Sequence, residues 1–274
     1  MIALGVPLGL ALAETGKHGA KQHSAGPPAG AARAERLRYQ ATWNGIPVAD
    51  AELLVQPARD TVALRARAET NEALDLLWQM RDSVDATVRL DPTRPLRFAL
   101  HQNENDRHYD TTIVTDGGRM TATVERRRHK SRSADVALTP TLHDPASMAY
   151  LIRMLPPDMA KPASYQVLAG TKVYNLTVAP AGTERIEAAD HRWSARRYHL
   201  SLQLVPTDVE AGATPAPVAM QDAPAREGRA EKEPKIQEAD LWVSAGPERL
   251  PLAMRAETFW GGVAIELESR SAVP

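Results

Sequence analysis

His143 and Asp144 stand side by side, an imidazole and a carboxylate of the kinds that hold zinc. No second pair follows at a helical spacing and His-Glu-x-x-His is absent, so helix capping by Asp144 accounts for the pair and no metal is expected. The eight histidines form no other pattern; His101 and His108 flank a wet turn at Asn103-Glu104-Asn105-Asp106. Gly-x-Ser-x-Gly, the strained turn that exposes a hydrolase serine, is missing, and so is any glycine-rich phosphate loop. No catalytic residue and no cofactor is assigned. A hydrolase would have to gather its groups from scattered positions.

Other residues suit binding better than reaction. The run Arg126-Arg127-Arg128-His129-Lys130-Ser131-Arg132 carries five fixed positive charges. Arg126, Arg127, Arg128, Lys130 and Arg132 are candidates for contact with an anionic surface; the plainer role is a solvated hairpin end. Aromatic residues for base stacking are missing from the run, so nucleic acid is not an expected partner. Five tryptophans stand against two phenylalanines. Trp43, Trp78 and Trp242 are candidates for lining an apolar ligand pocket, with core packing as the alternative. Arg81 and Arg153 each follow an apolar helix stripe. They suit either an ion pair, with Asp82 and Asp144 as the sequence-near partners, or a grip on an anionic head group.

These residues must be positioned mostly by strands. Val62, Leu64, Ala66 and Ala68 fall two apart, with Arg65, Arg67 and Glu69 between or beside them. A strand turns successive side chains to opposite faces, so one face is apolar and the other wet. The beat recurs at Ala49-Ala51-Leu53-Val55, Met120-Ala122-Val124, Tyr198-Leu200-Leu202-Leu204 and Val263-Ile265-Leu267. It indicates antiparallel pairing with one face buried. Two short helices interrupt it. Asp144 caps one, with Pro145 at its first position, Met148, Leu151, Ile152 and Leu155 on one stripe, and Pro156-Pro157 as its stop. Asn71 caps a shorter one, with Leu74, Leu77 and Trp78 on its apolar side. The expected fold is mainly β: one strongly curved, largely antiparallel sheet, or an open or closed barrel, with both helices packed on it. Ala49, Ala51, Ala66 and Ala68 are too small to fill a wide barrel, which leaves room for a cavity.

With 274 residues, 43% of them hydrophobic, and a net charge of −1, the chain can bury a sizeable core and carries no global field. It has no cysteine, which rules out disulfides and thiol chemistry. Residues 1–13 resemble a signal peptide, with an apolar Ile2–Ala13 stretch ending in Ala11-Leu12-Ala13. Residues 14–36 read as a flexible tether and 37–269 as a single β-rich domain. A disordered loop is inserted at about 206–238, where five prolines, seven acids and four bases carry no aromatic residue.

Several motifs recur in a familiar order: Tyr39-Gln40-Ala41-Thr42-Trp43-Asn44-Gly45, Leu77-Trp78-Gln79-Met80-Arg81-Asp82, Asp91-Pro92, Asp144-Pro145-Ala146-Ser147 and Leu241-Trp242-Val243-Ser244 ahead of Arg249-Leu250-Pro251-Leu252. Together they resemble the bacterial domain-of-unknown-function family numbered 3108, over about residues 37–267. That resemblance implies a periplasmic or secreted β-rich protein of a Gram-negative bacterium and no particular activity. Two readings lead: a carrier of a lipid-like or other apolar envelope molecule, and a non-enzymatic periplasmic module that contacts another protein. In neither is the chain integral to the membrane.

Overall fold

A computed structural model describes residues 33–156, 158–205, 238–258 and 261–273. The leader, most of the tether, the 206–237 segment and Trp260 lie outside the described residues. Eight strands form an antiparallel meander: β1 (Glu35–Trp43), β2 (Ile46–Pro57), β3 (Thr61–Thr70), β4 (Arg81–Leu90), β5 (Thr93–Glu104), β6 (Arg107–Asp116), β7 (Arg119–Arg126) and β8 (Arg132–Ala137). A short β9 (Leu142–His143) follows. A second antiparallel meander then comprises β10 (Ala163–Ala169), β11 (Lys172–Ala188), β12 (His191–Leu204), β13 (Glu238–Ser244), β14 (Pro251–Thr258) and β15 (Gly261–Ala272). The last strand pairs with the first, Glu35 opposite Ala272 and Trp43 opposite Val263, so all fifteen strands make one sheet. Among the described residues, only β9 and β10 pair in parallel.

Alternation, turn chemistry and bulges each do part of the folding. On β3, Val62, Leu64 and Ala66 are buried while Arg65 and Arg67 face water. Asn44 and Gly45 both take positive φ (49° and 80°), the two-residue turn whose twist matches that of the flanking strands. Register shifts at Arg38/Tyr39, Ala41/Thr42, Thr87/Val88 and Trp242/Val243 bend the strands. The sheet curls until its outer parts nearly meet: a Cβ at Gly170, in the β10–β11 turn, would sit 3.9 Å from Val124 Cγ2 on β7. Among the described residues, no hydrogen-bonded pairing joins the edge strands β8 and β9, so the barrel stays open.

Helix α2 (Pro145–Arg153) lies inside this curl. Asp144 Oδ1 accepts from the Ser147 amide at 2.8 Å, and Ser147 Oγ accepts from the Asp144 amide at 3.0 Å, a reciprocal cap. Met148 and Ile152 are fully buried, as their spacing requires. Helix α1 (Glu72–Asp75) has only four residues, with Asn71 Oδ1 accepting from the Leu74 amide. It departs from the expected packing. Leu77, placed on the apolar side by its spacing, is 84% exposed and Leu76 is 88% exposed. One turn of helix is too short to present a stripe; only Leu74 and Trp78 turn toward the sheet.

Candidate functional site

The concave face carries a trough. Between α2 and the sheet lies a cavity of about 140 Å³. Its walls are Leu53 and Val55 on β2, Leu64 and Ala66 on β3, Val84 and Phe98 beyond them, and Leu200, Leu241 and Val243 on the far side. Tyr39, Ile265 and Ala253 form the floor where the two meanders join, and Ala146, Ala149 and Tyr150 of α2 form the roof. A second cavity of about 50 Å³ lies along the same face, lined mostly by apolar side chains, among them Ala49, Ala51, Ala68, Leu74 and Trp78, with Thr70 and the carboxylate-bearing Asp50 as polar members. Ile265 borders both. On β3 the lining runs Leu64, Ala66, Ala68, Thr70, about 20 Å at the rise of a strand. The four alanines singled out by their size do leave this space: Ala66 lines the first cavity, and Ala49, Ala51 and Ala68 line the second.

Among the described residues lining the first cavity, Arg153 is the one charged side chain. It is 4% exposed and pairs with Glu35, itself buried at the start of β1. Its Nη2 also donates to the Glu248 carbonyl at 2.9 Å, and Arg270 Nε reaches the other Glu35 oxygen at 3.0 Å. Arg153 Nε is buried without a partner. Tyr39 donates its hydroxyl to the Pro251 carbonyl at 3.0 Å. Burial raises the Tyr39 and Tyr150 phenols above their ordinary range, so both remain neutral donors.

The sequence-near partners proposed for the two arginines are replaced by distant or different ones. Arg81 pairs with Asp75 and Glu69, and its Nη1 donates to Thr70 Oγ1 at 3.2 Å, locking α1 onto the sheet. The Arg81 guanidinium beside Asp75 holds that carboxyl down at about 2. Asp82 instead accepts from the Asn103 amide at 2.9 Å, and burial raises its pKa. Asp144 caps α2 and makes no pair with Arg153. Arg81 and Asp82 are adjacent on β4 and so turn to opposite faces, while Asp144 and Arg153 stand at opposite ends of α2.

The tryptophans divide. Trp78 lines the second cavity. Trp43 closes β1, opposite Val263 and Ile46. Trp242 is buried on the opposite face from Leu241 and Val243, with its Nε1 donating to Glu184 at 2.6 Å and Arg197 and Arg255 stacked 5.4 and 5.3 Å from its ring. The basic run forms the β7–β8 turn. Arg126 stacks 4.8 Å over Tyr109, and Arg127, Arg128, Lys130 and Arg132 are exposed.

That turn belongs to the same rim as α1. Asn71 Nδ2 donates to the Pro47 carbonyl, the Gln79 and Asn105 backbones bond at 3.0 Å, and the Arg127 amide donates to the His108 carbonyl. Exposed Ile46, Leu76 and Leu77 therefore share one end of the barrel with the five bases. Sequence reading missed Glu35, Arg270 and Tyr150. Glu35 and Arg270 enter only through the β1–β15 pairing, while Tyr150 is signalled by its place one turn before Arg153. Among the described residues no three His, Asp or Glu side chains gather as for a metal, and no helix is long and apolar enough to cross a membrane.

No curated protein sequence matches the chain. Among solved structures it is similar to a β-barrel-like protein of the domain-of-unknown-function family DUF1849 from Brucella abortus. The TM-score is 0.55 at 8% identity, over 88% of this chain and 98% of that one, and the likeness is one of fold. A Bacteroides fragilis protein of YmcC-like fold, thought to be exported, aligns over 87% of this chain and 96% of its own at a TM-score of 0.38 and 8% identity. With the profile of the family described as "Protein of unknown function (DUF3108)" matching residues 38–268, from β1 to late in β15, the chain belongs to the DUF3108 family.

Proposed function

We propose that this protein binds a lipid-like molecule in the trough and carries or holds it in the cell envelope. The carrying observation is the first cavity, whose lining is apolar apart from Arg153 and the two tyrosine hydroxyls. A cavity of about 150 Å³ with a wholly apolar lining stays dry and takes up a benzene-sized guest, and this one comes near that size with an apolar majority in its walls. The second cavity lies next along β2 and β3, with Ile265 as a shared wall, so the two together line a stretch of the length of an acyl chain. Export is part of the proposal and is supported by the Ile2–Ala13 leader pattern.

The rim fits the same role. Leu76 and Leu77 are both exposed beside Leu74 and Trp78, which line the second cavity, and the β7–β8 turn with the strand residues that flank it supplies five bases and no acid. Apolar knuckles beside cationic side chains suit the surface of an anionic bilayer, from which a lipid would enter.

Native mass spectrometry of the protein after incubation with an envelope lipid extract tests the reading. A discrete added mass, lost in Ala66→Leu, is the expected result. A clean apo mass throughout, from protein that remains folded, would overturn it.

A further inference from the structure

The trough ends on an unbalanced charge. Arg153 and Arg270 converge on one carboxylate, that of Glu35, and all three lie where β1 and β15 meet. Two guanidiniums against one carboxylate leave one positive charge in excess. Arg270 is 34% exposed and shares its charge with water, whereas Arg153 is 4% exposed and cannot. Arg153 also keeps one N–H, on Nε, buried without an acceptor although the side chain borders the cavity. An orphaned donor on a charged group is costly, and an acceptor arriving with a ligand would relieve it.

Resting on the trough reading, we propose that the ligand is a single-chain amphiphile with a carboxylate head, and that this head takes the free Arg153 Nε–H while the chain lies along the alanine-lined stripe. The charge excess is one, which matches a monoanion; a phosphate monoester carries more charge and needs more donors than one N–H and one phenol. Tyr150, one helical turn before Arg153 and on the same cavity wall, presents a neutral hydroxyl as the second donor. Glu35 stays in place as the spacer that holds both guanidiniums.

Octanoate and octan-1-ol, titrated calorimetrically into the full chain, separate this proposal from the one beneath it. The expected result is octanoate binding about tenfold or more tighter than octanol, the scale of one charge-assisted hydrogen bond. Arg153→Lys keeps a cation beside Glu35 but removes Nε, and should weaken octanoate about tenfold while leaving octanol within about twofold. Arg270→Gln, at a half-exposed position that tolerates exchange, should weaken octanoate alone and serves if the first variant does not fold. Equal affinity for acid and alcohol would overturn the carboxylate assignment and leave the trough standing. No binding of either, or binding indifferent to Ala66→Leu, would bring down the trough reading itself.

Discussion

At the residue scale, His143 and Asp144 carry opposite pH dependences in adjacent positions. Burial pushes the Asp144 carboxyl up to about 7, and its Oδ2 is buried without a partner. Burial, with the nearby Arg94 charge, pushes the His143 imidazole down to about 4. Between pH 4 and 6.5 both are neutral in the fold, whereas in the unfolded chain the aspartate ionises and the histidine is protonated. Folded Asp144 holds more proton than unfolded Asp144, so its contribution is full below about pH 4 and is lost as pH rises to 7. Folded His143 holds less, so its contribution is full above about 6.5 and is lost as pH falls to 4. The two slopes offset one another. Asp144→Asn, which keeps the helix cap, should leave the histidine slope exposed, so that the urea midpoint rises from pH 4 to 6.5 more steeply than in wild type. His143→Gln should give a midpoint that falls over the same window. Parallel profiles for all three proteins would refute the assignment.

At the scale of the element, α2 is anchored by chemistry and α1 by its neighbours. Ser147→Ala removes the partner of the buried Asp144 amide, and should cost about 1 kcal/mol in urea unfolding. Leu76→Ser with Leu77→Ser should move stability by no more than about 0.5 kcal/mol, because neither side chain is buried. These helices also mark what was legible beforehand. Asp144-Pro145 with its apolar stripe names α2 from the sequence, since caps and periodicity are local properties. The strands announce themselves through alternation, and their alanines through size. The exposure of Leu77 was not legible, because a stripe drawn on a wheel assumes a helix long enough to have sides. Nor was the Arg153–Glu35 pair, whose partners come together only when β1 lies beside β15 and α2 enters the curl.

At the scale of the whole molecule, the rim gathers Leu76, Leu77 and the basic run at one end of the barrel, the end proposed to meet a membrane. The full chain should float with vesicles containing phosphatidylglycerol, and binding should fall as salt rises. Leu76→Ser with Leu77→Ser should weaken binding about tenfold or more, and Arg127→Gln with Arg128→Gln should flatten the salt dependence. Equal flotation with purely zwitterionic vesicles, at every salt concentration, would remove the basic turn from this role.

The pairing of β1 with β15 also joins distant parts of the chain. Each meander can grow from local hairpins, but the bond between Arg270 and Glu35 spans 235 residues of chain, and closing so long a loop carries a large entropy cost. Until β15 arrives, β1 offers an unpaired edge open to other chains. Tyr39 and Ile265, one from each of these strands, are both walls of the trough. The compartment that would shelter a guest thus has walls on both strands of a pairing that joins the two ends of the described chain, and a molecule held there would report that those ends have met.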